Sequence, residues 1–204
     1  MLFSRNMYYW RNLSPLERAE VLKRRKALGC PWHSPPHTQG GGRFLLTAAC
    51  FEHKNVIGKT VVRLVKFEEE LLTRIQDCFE IITWVILPNH YHVLGSCGDI
   101  AAAIKTLGRF HGKVSHQWNG DEKSRGRQVW CKAVETRIKS ERHYLAAVNY
   151  VHHNPVRHGW VKKWQDWPFS GAHDYLAAFS HEEVLRRWKE YDISEMGRGW
   201  DLED

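Results

Sequence analysis

The chain has no apolar run approaching the roughly 20 residues that a bilayer-spanning helix needs; its longest stretches, such as Ile81–Leu87 and Val93-Leu94, are strand-sized. The N-terminus lacks an apolar segment ahead of a small-residue cleavage site, so a cytoplasmic protein without a membrane partner is expected. Cys-x-x-Cys is missing too. The five cysteines, Cys30, Cys50, Cys78, Cys97 and Cys131, are odd in number and scattered, which argues against a disulfide framework or a zinc knuckle. No internal repeat or long low-complexity tract occurs. With 204 residues, 43% of them hydrophobic, the chain is long enough for one ordinary core plus terminal extensions.

Acidic residues are scarce in the middle of the chain. Lys105 to Lys163 carries 13 Lys/Arg against 4 Asp/Glu, and the first thirty residues carry 7 against 2. From Ser180 to Asp204 the balance reverses, with 4 basic against 8 acidic residues. A basic middle is the electrostatic footprint of a polyanion-binding surface, because neutralised phosphates release counterions. A solvated basic surface is the plainer explanation of the same count.

Residues 1–42 read as an N-terminal basic helical extension and a Pro/Gly linker. Ser14 can cap a helix with Pro15 in its first turn, and the breakers from Cys30 to Gly42 form the linker. A core domain spans 43–178, followed by an acidic tail over 179–204. Phe44–Phe51 is of strand length. Leu64, Phe67, Leu71, Ile75 and Phe79 recur at helical intervals, predicting a helix over about Val61–Phe79. Two strands, Ile81–Leu87 and His90–Cys97, flank the turn signal Pro88-Asn89. A second helix, about Asp99–Trp118, is capped by Asp99. A strand over Val129–Ile138 and a third helix from Ser140 to about His153 complete the order β-α-β-β-α-β-α. That order is the ferredoxin-like split βαβ pattern of α+β proteins, an antiparallel sheet with helices on one face.

Side chains alternate across a strand, so His90 and His92 point the same way, about 6–7 Å apart. Two such imidazoles can share a metal ion, although packed or surface histidines explain them equally simply. Tyr91 points to the other face. Tyr150 and Asn154 lie one helical turn apart on a shared face, and Pro155 biases the helix to end near Asn154. A buried tyrosine and an Asn-Pro terminator account for these residues when they are taken alone.

Taken together, the two segments carry more. Trp84-Val-Ile-Leu-Pro-Asn-His-Tyr-His92, followed by Tyr150-Val-His-His-Asn-Pro-Val-Arg-His-Gly-Trp-Val161, resembles the HUH single-tyrosine transposases, and most closely the REP-associated tyrosine transposases. The likeness runs from about Arg43 to Tyr175 and includes the segment Trp160–Ser170. It implies an HUH endonuclease fold with the nucleophile on a helix after the last core strand. In such a site Tyr150 is the nucleophile, and His90, His92 and Asn154 bind a divalent cation, Mg²⁺ or Mn²⁺, with Zn²⁺ as another possibility. The implied reaction nicks and rejoins single-stranded DNA at hairpin-forming, palindromic repeats through a covalent 5′-phosphotyrosine.

Single-strand binding combines a basic groove with aromatic platforms. Arg109, Lys113, Arg125, Arg127, Lys132, Arg137 and Arg157, with Trp130 and also Trp118 and Trp160, are suitable in type. Arg137 or Lys139 could favour the Tyr150 phenolate, and Tyr144 and Tyr91 are competing phenols. Two other readings stand beside this one. The first is a catalytically silent hairpin-binding protein. The second is a zinc hydrolase completed by His143, His152 or His153, which lacks an evident carboxylate base. The sequence is compatible with a monomer or a homodimer.

Overall fold

The computed structural model describes residues 14–16, 20, 23, 40–191 and 193. Of the expected N-terminal helix, Pro15, Leu16, Glu20 and Lys23 are helical. Most of the expected linker lies outside the described residues.

Four strands form one antiparallel sheet: β1 (Gly42–Ala49), β2 (Glu80–Ile86), β3 (His90–Cys97) and β4 (Val134–Arg137), in the order β2-β3-β1-β4. Helix α1 (Val61–Ile75) links β1 to β2, α2 (Ile100–Asp121) links β3 to β4, and α3 (Glu141–Arg157) follows β4. This is the expected α+β split βαβ architecture. Each of these helices begins where a side-chain oxygen can take up an otherwise orphaned backbone N–H. Thr60 accepts from Arg63, Asp99 from Ala101 and Ser140 from His143. Two short helices close the described chain, α4 (Ala172–Ala178) and α5 (His181–Glu190).

The helices do not share one face of the sheet, as the sequence pattern suggested. Phe44, Leu46, Tyr91 and Val93 pack with α1 and α2 through Phe67, Leu71, Leu107 and Phe110. Leu45, Val85 and Leu94 pack on the other side with Ala147, Val148, Tyr150 and Val151 of α3. The strand residues are apolar on both faces, and a central strand of that kind needs cover on both. β3 shows this directly, since its first six residues are all buried.

Three boundaries also differ. The first helix stops at Ile75, and Phe79 is carried into the core by a turn in which its N–H donates to the Ile75 carbonyl at 2.8 Å. The strand expected over Val129–Ile138 is broken into a single bridge, Trp130 with Cys50, and then β4. Pro155 does not end α3, which continues to Arg157. A proline near a helix C-terminus removes only one internal bond. The end comes instead at Gly159, whose φ of +70° suits glycine, with the Trp160 N–H returning to the Pro155 carbonyl at 2.9 Å.

The segment assigned to an acidic tail begins with α5, which is docked on α3. The Asn149 side-chain amide donates to the Arg187 and Tyr191 carbonyls at 3.1 and 2.9 Å, and Val184 is buried. Among the described residues no helix is long and apolar enough to cross a membrane.

The buried face of β3 opposite α3 has a polar anchor. The Tyr91 hydroxyl lies 2.9 Å from His111 Nε2, and the His111 ring stacks on Trp130 with centroids 4.2 Å apart. Burial lowers the His111 pKa from 6.5 to about 4 and that of His152 to about 3. Both are neutral in the fold at pH 7. The unfolded chain binds these protons from about pH 6.5 downward, so stability is lost as pH falls from 6.5 towards 4. His111→Gln should flatten that loss by up to about 1.4 kcal/mol per pH unit, measured by urea unfolding between pH 7 and 4.5.

Candidate active site

The β1–β3 register sets Thr47 opposite His92 and Ala49 opposite His90. Both histidines project towards α3, and their ring centroids are 5.3 Å apart at 78°. Each ring is held through Nδ1. Thr47 Oγ1 lies 2.8 Å from His92 Nδ1, and Asn89 Oδ1 lies 2.7 Å from His90 Nδ1. Asn89 is itself oriented, because its amide nitrogen donates to the His53 carbonyl at 3.2 Å. The oxygen is thereby turned to His90, where it accepts an Nδ1–H.

With the proton on Nδ1, the neutral His90 ring presents the lone pair of Nε2. That atom faces Asn154 Oδ1 at 2.9 Å. Two acceptors at this distance repel. Either the Asn154 amide turns over to donate, or a cation stands beside both atoms. Asn154 is fully buried and its Nδ2 has no hydrogen-bond partner. Donors at right angles about an ion with bonds of about 2.1 Å stand about 3.0 Å apart. The spacing, the donor types and the orienting partners of both imidazoles fit a divalent ion. Among the described residues no three His, Cys, Asp or Glu side chains form a metal cluster. The third donor here is an amide.

Tyr150 stands one turn before Asn154 on α3. Its hydroxyl is 3.5 Å from His92 Nε2, and the two rings meet edge to face at 5.1 Å. Its side chain is 1% exposed. The Arg157 guanidinium lies 5.9 Å from the Tyr150 ring centroid. Arg137 and Lys139, expected to assist the phenol, are placed elsewhere. Arg137 donates to the Gly41 carbonyl, and Lys139 precedes the N-terminus of α3. The competing phenols are accounted for as well. Tyr91 is fully buried on the opposite face, where desolvation raises its pKa. Tyr144 lies under the Arg43 guanidinium at 4.4 Å.

The other sequence-derived DNA contacts are not brought together. Arg157 alone of them is placed beside Tyr150. Lys113 pairs with Glu70 at 2.9 Å, and Arg125 donates to the His116 carbonyl at 2.7 Å. Arg127 binds Glu122 and Asn119 at 2.8 and 2.9 Å. Arg109 is an exposed residue of α2, and Lys132 is exposed in the segment before β4. Trp130 and Trp118 are core residues, 9% and 5% exposed, which removes both as open stacking platforms. Trp160 is 42% exposed, just past the end of α3.

The histidines proposed for a zinc hydrolase also turn away. His152 Nε2 meets Thr83 Oγ1 at 2.8 Å, His153 packs on Trp188, and His143 Nδ1 accepts the Lys139 N–H. Sequence reasoning missed three neighbours of the site. Asn89 was legible only as a turn residue, Thr47 depends on strand register, and His158, with its ring 4.7 Å from that of His90, depends on where α3 ends.

An antiparallel β2-β3-β1-β4 sheet, a histidine pair on a central strand and a facing helix-borne tyrosine define an HUH-type α+β fold. No family model matches the chain. It is 35% identical over 105 residues to the REP-associated tyrosine transposase of Escherichia coli (strain K12), covering 48% of this chain and 58% of that protein. A Haemophilus influenzae protein provisionally given the same name is 30% identical over 115 residues, covering 52% of this chain and 65% of its own length. The matches thus span only part of the curated relatives. A solved structure of a REP-associated tyrosine transposase bound to a REP hairpin shares the fold, with a TM-score of 0.54 and 23% identity over 85% of this chain and 94% of that one. In sequence over about half its length, and in fold, this chain is similar to the REP-associated tyrosine transposases.

Partners that orient a metal-binding imidazole typically contribute 10- to 100-fold to metal affinity. A Mn²⁺ ion held through His92 would be bound about tenfold or more weakly in Thr47→Val, which keeps the shape of the side chain and removes its oxygen. Calorimetric titration checks this, with unfolding curves showing whether the fold is retained.

Proposed function

We propose that this protein is a single-stranded DNA endonuclease and strand transferase that nicks and rejoins DNA at hairpin-forming repeats. The observation that carries the reading is the convergence of Tyr150 with His90, His92 and Asn154 across the α3–β3 contact. The hairpin-bound relative supports a folded DNA hairpin as the partner.

His90, His92 and Asn154 would hold a divalent cation, Mg²⁺ or Mn²⁺. When bound, such an ion supplies Lewis-acid polarisation of a phosphate oxygen. The Tyr150 oxygen forms the new bond to phosphorus in line with the departing 3′ oxygen, losing the phenol proton as the leaving group gains one. The product is a 5′-phosphotyrosine and a free 3′-hydroxyl. One phosphodiester replaces another, so the step reverses without ATP, and covalent attachment divides the exchange into two transfers. Thr47 and Asn89 keep the imidazoles turned to the site. Arg157 contributes positive charge beside the attacking ring. Because Tyr150 is buried, the DNA strand must displace neighbouring side chains to reach it, which favours an extended single strand over a stiff duplex.

Labelled hairpin DNA from repeats flanking the encoding gene, incubated with Mn²⁺ or Mg²⁺, should yield a protein–DNA adduct. Tyr150→Phe should abolish the adduct while leaving hairpin binding within about twofold, since one hydroxyl contributes little to an interface dominated by phosphate contacts. Tight binding without cleavage by the wild type would favour the catalytically silent reading.

A further inference from the structure

We infer that Trp160 is a stacking platform for an unpaired base of the DNA strand, set beside the phosphodiester that Tyr150 attacks. The inference deepens the proposed function and rests on it in taking single-stranded DNA as the substrate.

Exposure singles the residue out. Among the described tryptophans Trp160 alone is exposed, at 42%. Others are engaged by the fold: Trp167 is buried, Trp84 donates its indole N–H to Glu68 at 2.7 Å, and Trp164 stacks on both His152 and Trp188 at 9° and 18°. Phe179, the other exposed aromatic among the described residues, lies under the Arg187 guanidinium at 4.1 Å. An indole left open to water gains free energy when a flat apolar surface covers it.

Two anchors fix where the ring stands. Its backbone N–H donates to the Pro155 carbonyl at 2.9 Å, so the residue follows the Gly159 turn directly off the end of α3. Its ring meets that of Trp167 at 6.2 Å, and the Trp167 indole donates to the Ile86 carbonyl at 2.9 Å. Ile86 pairs with Tyr91, and the Leu87 N–H donates to the His90 carbonyl at 2.8 Å. Both anchors therefore lead to the end of the sheet that carries His90. A ring held in this way loses little freedom when a base lies on it.

Charge completes the arrangement. Arg157 on one side of Trp160 in the chain, and Lys162 and Lys163 on the other, are exposed. The Arg157 guanidinium is the group placed 5.9 Å from the Tyr150 ring. Cations that follow the backbone and an aromatic ring that takes a base are the combination that single strands bind. Inside a duplex the faces of each base are covered by its neighbours, so the platform selects an unpaired base. Every base has such a face, so it selects without regard to sequence.

The test uses the full chain carrying Tyr150→Phe, so that binding is read without cleavage. Its probe is the repeat hairpin with 2-aminopurine placed in turn at each unpaired position flanking the stem. Stacking quenches this base, and one position should be quenched on binding. Adding Trp160→Leu should abolish that quenching and weaken binding of the extended hairpin about 5- to 150-fold, while the stem alone is bound within about twofold. Trp160→Phe keeps a ring and should restore most of both signals. Unchanged quenching or unchanged affinity in Trp160→Leu overturns the inference and leaves the proposed function standing. Equal loss of affinity for the stem alone shows a packing role and overturns it too. Failure of the chain with Trp160 intact to bind the hairpin at all overturns the inference and the proposed DNA substrate together.

Discussion

Leu45, Val85 and Leu94 on the sheet, with Ala147, Val148 and Val151 on α3, bury the apolar layer that holds Tyr150 and Asn154 against His90 and His92. Fully burying a side chain the size of valine or leucine contributes about 1.5–3 kcal/mol. A buried polar atom without a partner costs about 1–3 kcal/mol. Several such apolar residues therefore outweigh the cost of leaving Asn154 Nδ2 without a partner. The helix is seated by its apolar neighbours, and the polar residues are carried into place with it. Any change that shifts α3 by a turn would separate the tyrosine and the amide from the histidines without touching either strand.

The polar atoms around the site are organised in tiers. Thr47 and Asn89 set the direction of the rings, and His53 sets the direction of Asn89. On the far side of the sheet another polar cluster has a structural part. Glu122 is partly buried, which pushes its pKa up, yet hydrogen bonds from Lys59, Arg127 and Arg63 prevail and hold it down to about 2. Those contacts tie the end of α2 to α1 and to the loop before Trp130. Cations that contribute to the basic balance of the middle of the chain are in part consumed by this internal pairing. A charge count on the sequence therefore overstates the positive surface left for a polyanion.

Much of the fold was legible in one dimension. The strand–helix order follows from period-two and period-3.6 patterns, and the starts of the second and third helices follow from Asp99 and Ser140. The side of the sheet taken by α3 was not legible, because a strand that is apolar on both faces does not say which helix covers which. The break at Trp130 was hidden by a continuous run of strand-forming residues. Within the site, His90, His92, Tyr150 and Asn154 were recognisable from spacing and family likeness together. Arg127, Trp118 and Trp130 had the right side chains for a nucleic-acid surface but were drawn inside by Glu122, Phe67 and His111.

By itself the sequence determined which residues share a face: two histidines one residue apart on a strand, and a tyrosine and an asparagine one turn apart on a helix. These are local periodicities of the backbone and need no partner. The tertiary structure alone decided that the two faces meet. It also decided that Thr47 stands across from His92 and that the end of α3 brings His158 beside His90. Strand register and helix seating are settled by how side chains from distant parts of the chain fill a shared volume, and no spacing within either segment contains that information.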